Sequence, residues 1–96
     1  MIKVSSEHLK HIRKILRELA PDCQAQAFGS RVRGAPKKYS DLDIALIGPK
    51  KIDSRRLRRI KEAFAESDLP FRVDILDWNA LSPQFKNAIT SHLEKI

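Results

Sequence analysis

The sequence predicts a small α/β (α+β) domain, a mixed sheet of about three strands covered by helices, in the order α-β-α-β-α-β-α. Two patterns predict it: apolar residues recur at helical spacing in three segments, and in the intervening runs apolar and polar residues alternate. A third observation bounds the answer. Ninety-six residues with 42% hydrophobic content can bury one modest core and not two, so residues 1–96 are read as one domain.

Leu9, Ile12, Leu16 and Leu19 share one face behind the capping hydroxyls of Ser5 and Ser6, and Pro21 stops the run, so residues 6–19 are a helix. Residues 23–28 alternate weakly before Gly29-Ser30, which reads as a strand entering a tight turn and then a short helix. Leu42, Ile44 and Leu46 alternate with Asp41, Asp43 and Ala45 until Gly48-Pro49, the period of a strand with its acids on one face. Leu57, Ile60 and Phe64 predict a helix over 54–66, capped by Asp53 or Ser54. Phe71, Val73 and Ile75 face one way and Asp74 the other, so 71–76 is a third strand, and Asp77 reads as a loop residue. Ser82-Pro83 supplies a cap and a first-position proline, and Phe85, Ile89, Leu93 and Ile96 extend the last helix to the end of the chain.

Charge and cysteine content narrow the function. Nineteen Lys and Arg against 12 Asp and Glu give a net charge of +7, which favours anionic partners such as nucleotides, nucleic acid or an acidic protein. Cys23 is the only cysteine, so an intrachain disulfide and a cysteine-built metal centre are excluded, and Cys23 reads as a small core residue. No apolar run is long enough to cross a bilayer, and a cytoplasmic protein without membrane contact is expected.

The chemistry concentrates in Gly29-Ser30-Arg31-Val32-Arg33-Gly34, Ala35-Pro36-Lys37-Lys38-Tyr39-Ser40 and Asp41-Leu42-Asp43-Ile44-Ala45-Leu46. Asp41 and Asp43, two apart on a strand, leave the same face about 6.6 Å apart along the chain. Carboxylates are the hard oxygen ligands that magnesium prefers, and a two-metal site bridges ions about 3.5–4 Å apart. Asp74 lies on the polar face of a candidate neighbouring strand, from which pairing could bring it beside the other two. Gly29 removes side-chain bulk at the turn, so backbone N–H groups and the Ser30 hydroxyl can approach a phosphate, with Arg31 and Arg33 adding positive charge.

Gly-Ser followed by ten residues and Asp-x-Asp resembles the signature of the nucleotidyltransferase superfamily that includes DNA polymerase beta. Gly29 to Gly34, Ser40 to Ala45 and Val73-Asp74-Ile75-Leu76 resemble its minimal nucleotidyltransferase (MNT) subgroup, and the similarity covers nearly the whole chain. The resemblance implies the nucleotidyltransferase fold and transfer of a nucleoside monophosphate, AMP from ATP, to an acceptor hydroxyl. It implies that Asp41 and Asp43 hold two Mg2+ ions, and that Asp74 binds the catalytic ion and helps deprotonate the acceptor. Gly29 and Ser30 would seat the β and γ phosphates, with Arg31, Arg33 and Ser40 completing the nucleotide site. Members of the subgroup are often antitoxins paired with a HEPN-domain ribonuclease toxin, silenced by AMP transfer to a tyrosine.

Two other functions fit the same residues: an antitoxin that neutralises its partner by contact alone, and a basic domain that binds RNA or DNA. The oligomeric state is left open. The remaining polar residues read as solvated surface: His8 and His11 on the first helix, His92, and Arg55, Arg56, Arg58 and Arg59 fanning over the second helix opposite its apolar stripe. Trp78 and Phe85 read as core or rim packing.

Overall fold

The computed structural model describes residues 2–34, 36–37 and 40–96. Ala35, Lys38 and Tyr39, within the run that joins the Gly-Ser and Asp-x-Asp motifs, lie outside the described residues, as does Met1. The elements are α1 (Ser6–Leu19), β1 (Gln24–Phe28), β2 (Leu42–Ile47), α2 (Ser54–Ala65), β3 (Val73–Asp77), a 3-10 turn (Trp78–Ala80), α3 (Pro83–Thr90) and β4 (Glu94–Lys95).

Among the described residues the sheet has four strands in the order β3-β2-β1-β4. β1 runs antiparallel to both β2 and β4, whereas β2 and β3 are parallel and joined through α2, the crossover that a parallel pair requires. β2 is therefore central, and it carries Leu42, Ile44, Ala45 and Leu46 buried on both faces. One face packs on α1 and α2, where Ile12, Leu16, Ile60 and Phe64 meet Leu42, Ile44, Leu46 and Ile75. Full burial of each such side chain contributes about 1.5–3 kcal/mol. The other face is covered by α3, through Phe28, Ala45 and Ile89 with Leu76, Leu81 and Leu93 around them.

Local chemistry sets the helix ends. Ser5 accepts the His8 N–H and Ser82 the Phe85 N–H, each an N-cap, with Pro83 at the start of α3. Asp53 caps α2 through its backbone carbonyl, which accepts the Leu57 N–H at 2.9 Å. Arg56 leaves the solvated row on α2: it donates to the Leu19 carbonyl at 3.2 Å and pairs with Asp22, tying α2 to the end of α1.

Three expectations are corrected. The segment after Ser30 makes a single turn, closed by Arg33 N–H to Gly29 and Gly34 N–H to Ser30, rather than a helix. The last helix stops at Thr90, because Leu93 packs beneath α3 while Ile96 packs toward α1 on the opposite side of the sheet. A continuing helix would keep both on one stripe, whereas the observed strand lets the Ile96 N–H reach the Ala25 carbonyl at 3.1 Å. Asp77, expected in a loop, ends β3 and is only 5% exposed; its carboxylate accepts the N–H groups of Ile52 and Asn79. No helix among the described residues is long and apolar enough to cross a membrane.

Candidate active site

The parallel register of β2 and β3 sets Asp43 directly opposite Asp74, and the antiparallel register of β1 and β2 sets Phe28 opposite Asp43. Asp41 precedes β2 by one residue and keeps the parity of Asp43, as Arg72 keeps that of Asp74. All four side chains thus project from one face, at the starts of β2 and β3 and beside the end of β1. Sequence periodicity predicted the Asp41–Asp43 pairing on one face; the register brings Asp74 to them.

Gly29 closes the approach from β1. Its φ of +85° lies in the left-handed region, and a Cβ there would run into the Asp43 carboxylate. The turn backbone therefore lies against Asp43 because no side chain intervenes. Ser30 and Arg33 are exposed on this turn, and half-buried Ser40 accepts the Lys37 N–H on its hydroxyl at 2.8 Å.

Arg31 takes a different place from the one the sequence suggested. It is only 6% exposed, donates to the Ser40 carbonyl at 2.7 Å and the Lys3 carbonyl at 2.9 Å, and lies over the Phe71 ring at 4.2 Å. The guanidinium holds the N-terminal segment, the turn and the residue before Asp41 together, and so braces the site from within.

Charge crowding marks the cluster. Burial pushes the Asp43 carboxyl above its usual range, and the neighbouring charges of Asp74 and then Asp41 push it further. Arg72 partly offsets this. Its Nε and Nη2 donate to Asp74 at 3.1 and 2.9 Å, Nε lies 3.8 Å from Asp41, and these contacts hold the guanidinium protonated. Among the described residues no three His, Cys, Asp or Glu side chains already close on one point as a metal cage. The carboxylates share a face, with the Arg72 guanidinium between Asp41 and Asp74.

A cavity of about 590 Å³ opens beside the cluster, lined by Phe28, Asp43, Lys61, Arg72, Asp74 and Phe85. Phe85, 40% exposed, meets Phe28 edge to face at 6.2 Å, so it forms a wall of this cavity as well as rim packing. A second cavity, about 420 Å³, lies at the other end of β1 under Arg13, Arg17 and Lys95, with no carboxylate side chain among its described lining residues. Sequence reasoning passed over Arg72 and Lys61. The alternation of Arg72 with Asp74 could have placed the arginine on the acidic face, whereas Lys61 comes from another element.

The family described as "Nucleotidyltransferase domain" matches residues 9–96. The chain belongs to the nucleotidyltransferase domain family. Within that family it is 50% identical over 88 residues to a Haemophilus influenzae protein named "Probable protein adenylyltransferase MntA", covering 92% of this chain and 77% of the relative. Its nucleotidyltransferase fold superposes on a toxin–antitoxin crystal structure solved with AMP-PNP, at a TM-score of 0.76 and 26% identity over 90% of this chain and 69% of that one. It also matches a solved complex of tri-AMPylated Shewanella oneidensis HEPN toxin with MNT antitoxin, at a TM-score of 0.67 and 25% identity over 90% of this chain and 66% of that one.

Proposed function

We propose that this chain is a cytoplasmic protein adenylyltransferase that moves AMP from ATP onto a hydroxyl of a HEPN-domain toxin, acting as the antitoxin of the pair. The observation that carries the reading is the convergence of Asp41, Asp43 and Asp74 on one sheet face against the Gly29 turn. The 50% identity to a protein named as an adenylyltransferase supports the chemistry. The solved complex of an AMPylated HEPN toxin with an MNT antitoxin supports the acceptor.

The donor set fits magnesium: three hard carboxylates on one face, one of them half-buried and raised above its usual range by that burial first and then by the charges of the other two. Asp41, Asp43 and Asp74 would hold two magnesium ions, which when bound neutralise charge at the reacting phosphate. The Gly29-Ser30 turn would seat the β and γ phosphates, with exposed Arg33 adding charge beside it. Arg31 and Ser40 act through the shape of that turn and the approach to Asp41. Asp74 takes the proton of the acceptor hydroxyl; the acceptor oxygen forms its bond to the α-phosphorus as the bond to the β-phosphate oxygen breaks, and pyrophosphate leaves.

ATP labelled on its α-phosphate, incubated with a cognate HEPN toxin, tests this. Label is expected in the toxin with Mg2+ and not with EDTA, and Asp43→Ala is expected to lower the rate by more than about 100-fold while retaining the fold. Equal labelling by wild type and Asp43→Ala would defeat the site. Full neutralisation of the toxin by an unlabelling Asp43→Ala chain would favour an antitoxin that works by contact.

A further inference from the structure

Arg72 has no part in the proposed transfer, yet it sits among the carboxylates that carry it. Its backbone carbonyl accepts the Leu42 N–H at 2.9 Å, so the main chain is pinned to β2. Its side chain is 73% exposed and, among the described residues, is tethered by the two bonds to Asp74 and the 3.8 Å approach to Asp41. It also lines the cavity shared with Lys61 and Phe85, so the guanidinium has space to move without disturbing the sheet.

We propose that Arg72 is a built-in counter-cation: it bridges Asp41 and Asp74 in the metal-free protein, competes with divalent cations for those carboxylates, and swings into the adjoining cavity as the ions enter. The inference rests on Asp41, Asp43 and Asp74 being the metal ligands. Three anionic groups on one face of a small sheet repel one another unless a cation lies among them. A guanidinium suits that task because it stays charged and presents several donors in one plane. It cannot remain when the ions arrive, since like charges this close repel strongly. Because the departing contact is an exposed ion pair, the competition is mild. Metal binding is then weak for the protein alone and is completed by the phosphates of the arriving nucleotide, which supply further oxygen ligands.

Titration of the intact chain with Mn2+ alone, without nucleotide, tests the proposal in wild type, Arg72→Gln, Arg72→Lys and Asp43→Asn. Arg72→Gln is expected to bind Mn2+ about two- to fivefold more tightly, the range set by losing an exposed ion pair, with Arg72→Lys in between. The same variant should melt below wild type in EDTA and match it at saturating Mn2+. A purely structural arginine would shift the affinity the other way. Wild-type binding that a folded Arg72→Gln leaves unchanged or weakens overturns this inference alone. Equal binding by wild type and Asp43→Asn overturns the metal-ligand reading and this inference with it.

Discussion

Replacing Gly29 by alanine probes the closest approach in the site. Two costs follow from the geometry. At φ +85° an L-residue is disfavoured by about 1–2 kcal/mol relative to glycine. The new methyl would also lie well inside contact distance of the Asp43 carboxylate, which must leave its preferred rotamer at about 0.5–1.5 kcal/mol. Together these give about 1.5–3.5 kcal/mol, and at about 4–8 °C per kcal/mol for a domain of this size the melting temperature falls by at least about 6 °C. Restoring ordinary contact moves the carboxylate by about 1 Å, a displacement that can lower a catalysed rate about 100-fold. Thermal unfolding by circular dichroism and AMP transfer from labelled ATP read the two effects. The decisive comparison is the double variant with Asp43→Ala. Shortening Asp43 removes the overlap and leaves the backbone cost, so Gly29→Ala must cost less stability in the Asp43→Ala background than in wild type. Strict additivity, or a Gly29→Ala chain with wild-type transfer and melting, would refute the reasoning.

Two further outcomes follow from the burial of Asp43 and Asp77. The Asp43 carboxyl is raised by burial and by Asp74 and Asp41, so the folded chain holds that proton more tightly than the unfolded chain. The associated stability is complete below the ordinary carboxylate range and is lost as pH rises through the raised value, from about pH 4 upward. In EDTA, Asp43→Asn should therefore melt above wild type at neutral pH, with the gap shrinking on acidification; a gap independent of pH would contradict this. Asp77→Ala removes the acceptor of two N–H groups, from Ile52 and Asn79, and should cost about 2–4 kcal/mol by denaturant unfolding. The loss should be the same with and without Mg2+, and a loss below about 1 kcal/mol would show that the two groups find other acceptors.

What the sequence determined by itself was everything that repeats within one element. Helical spacing set α1 and α2 to within a residue or two, and alternation placed Asp41 and Asp43 on one face because a strand flips its side chains at every step. Spacing to Gly29-Ser30 made the family legible, since that motif is local in the chain. Tertiary structure decided what depends on which strand lies beside which. The β2–β3 register set Asp74 opposite Asp43 and brought Arg72 to Asp41, and no local pattern specifies a register between strands separated by a helix. For Arg31 the sequence shows charge and not burial; its packing against Phe71 and its bonds to two carbonyls are visible in the tertiary structure alone. β4, two residues long, is too short to carry any alternation, so only its pairing with β1 distinguishes it from the helix that precedes it.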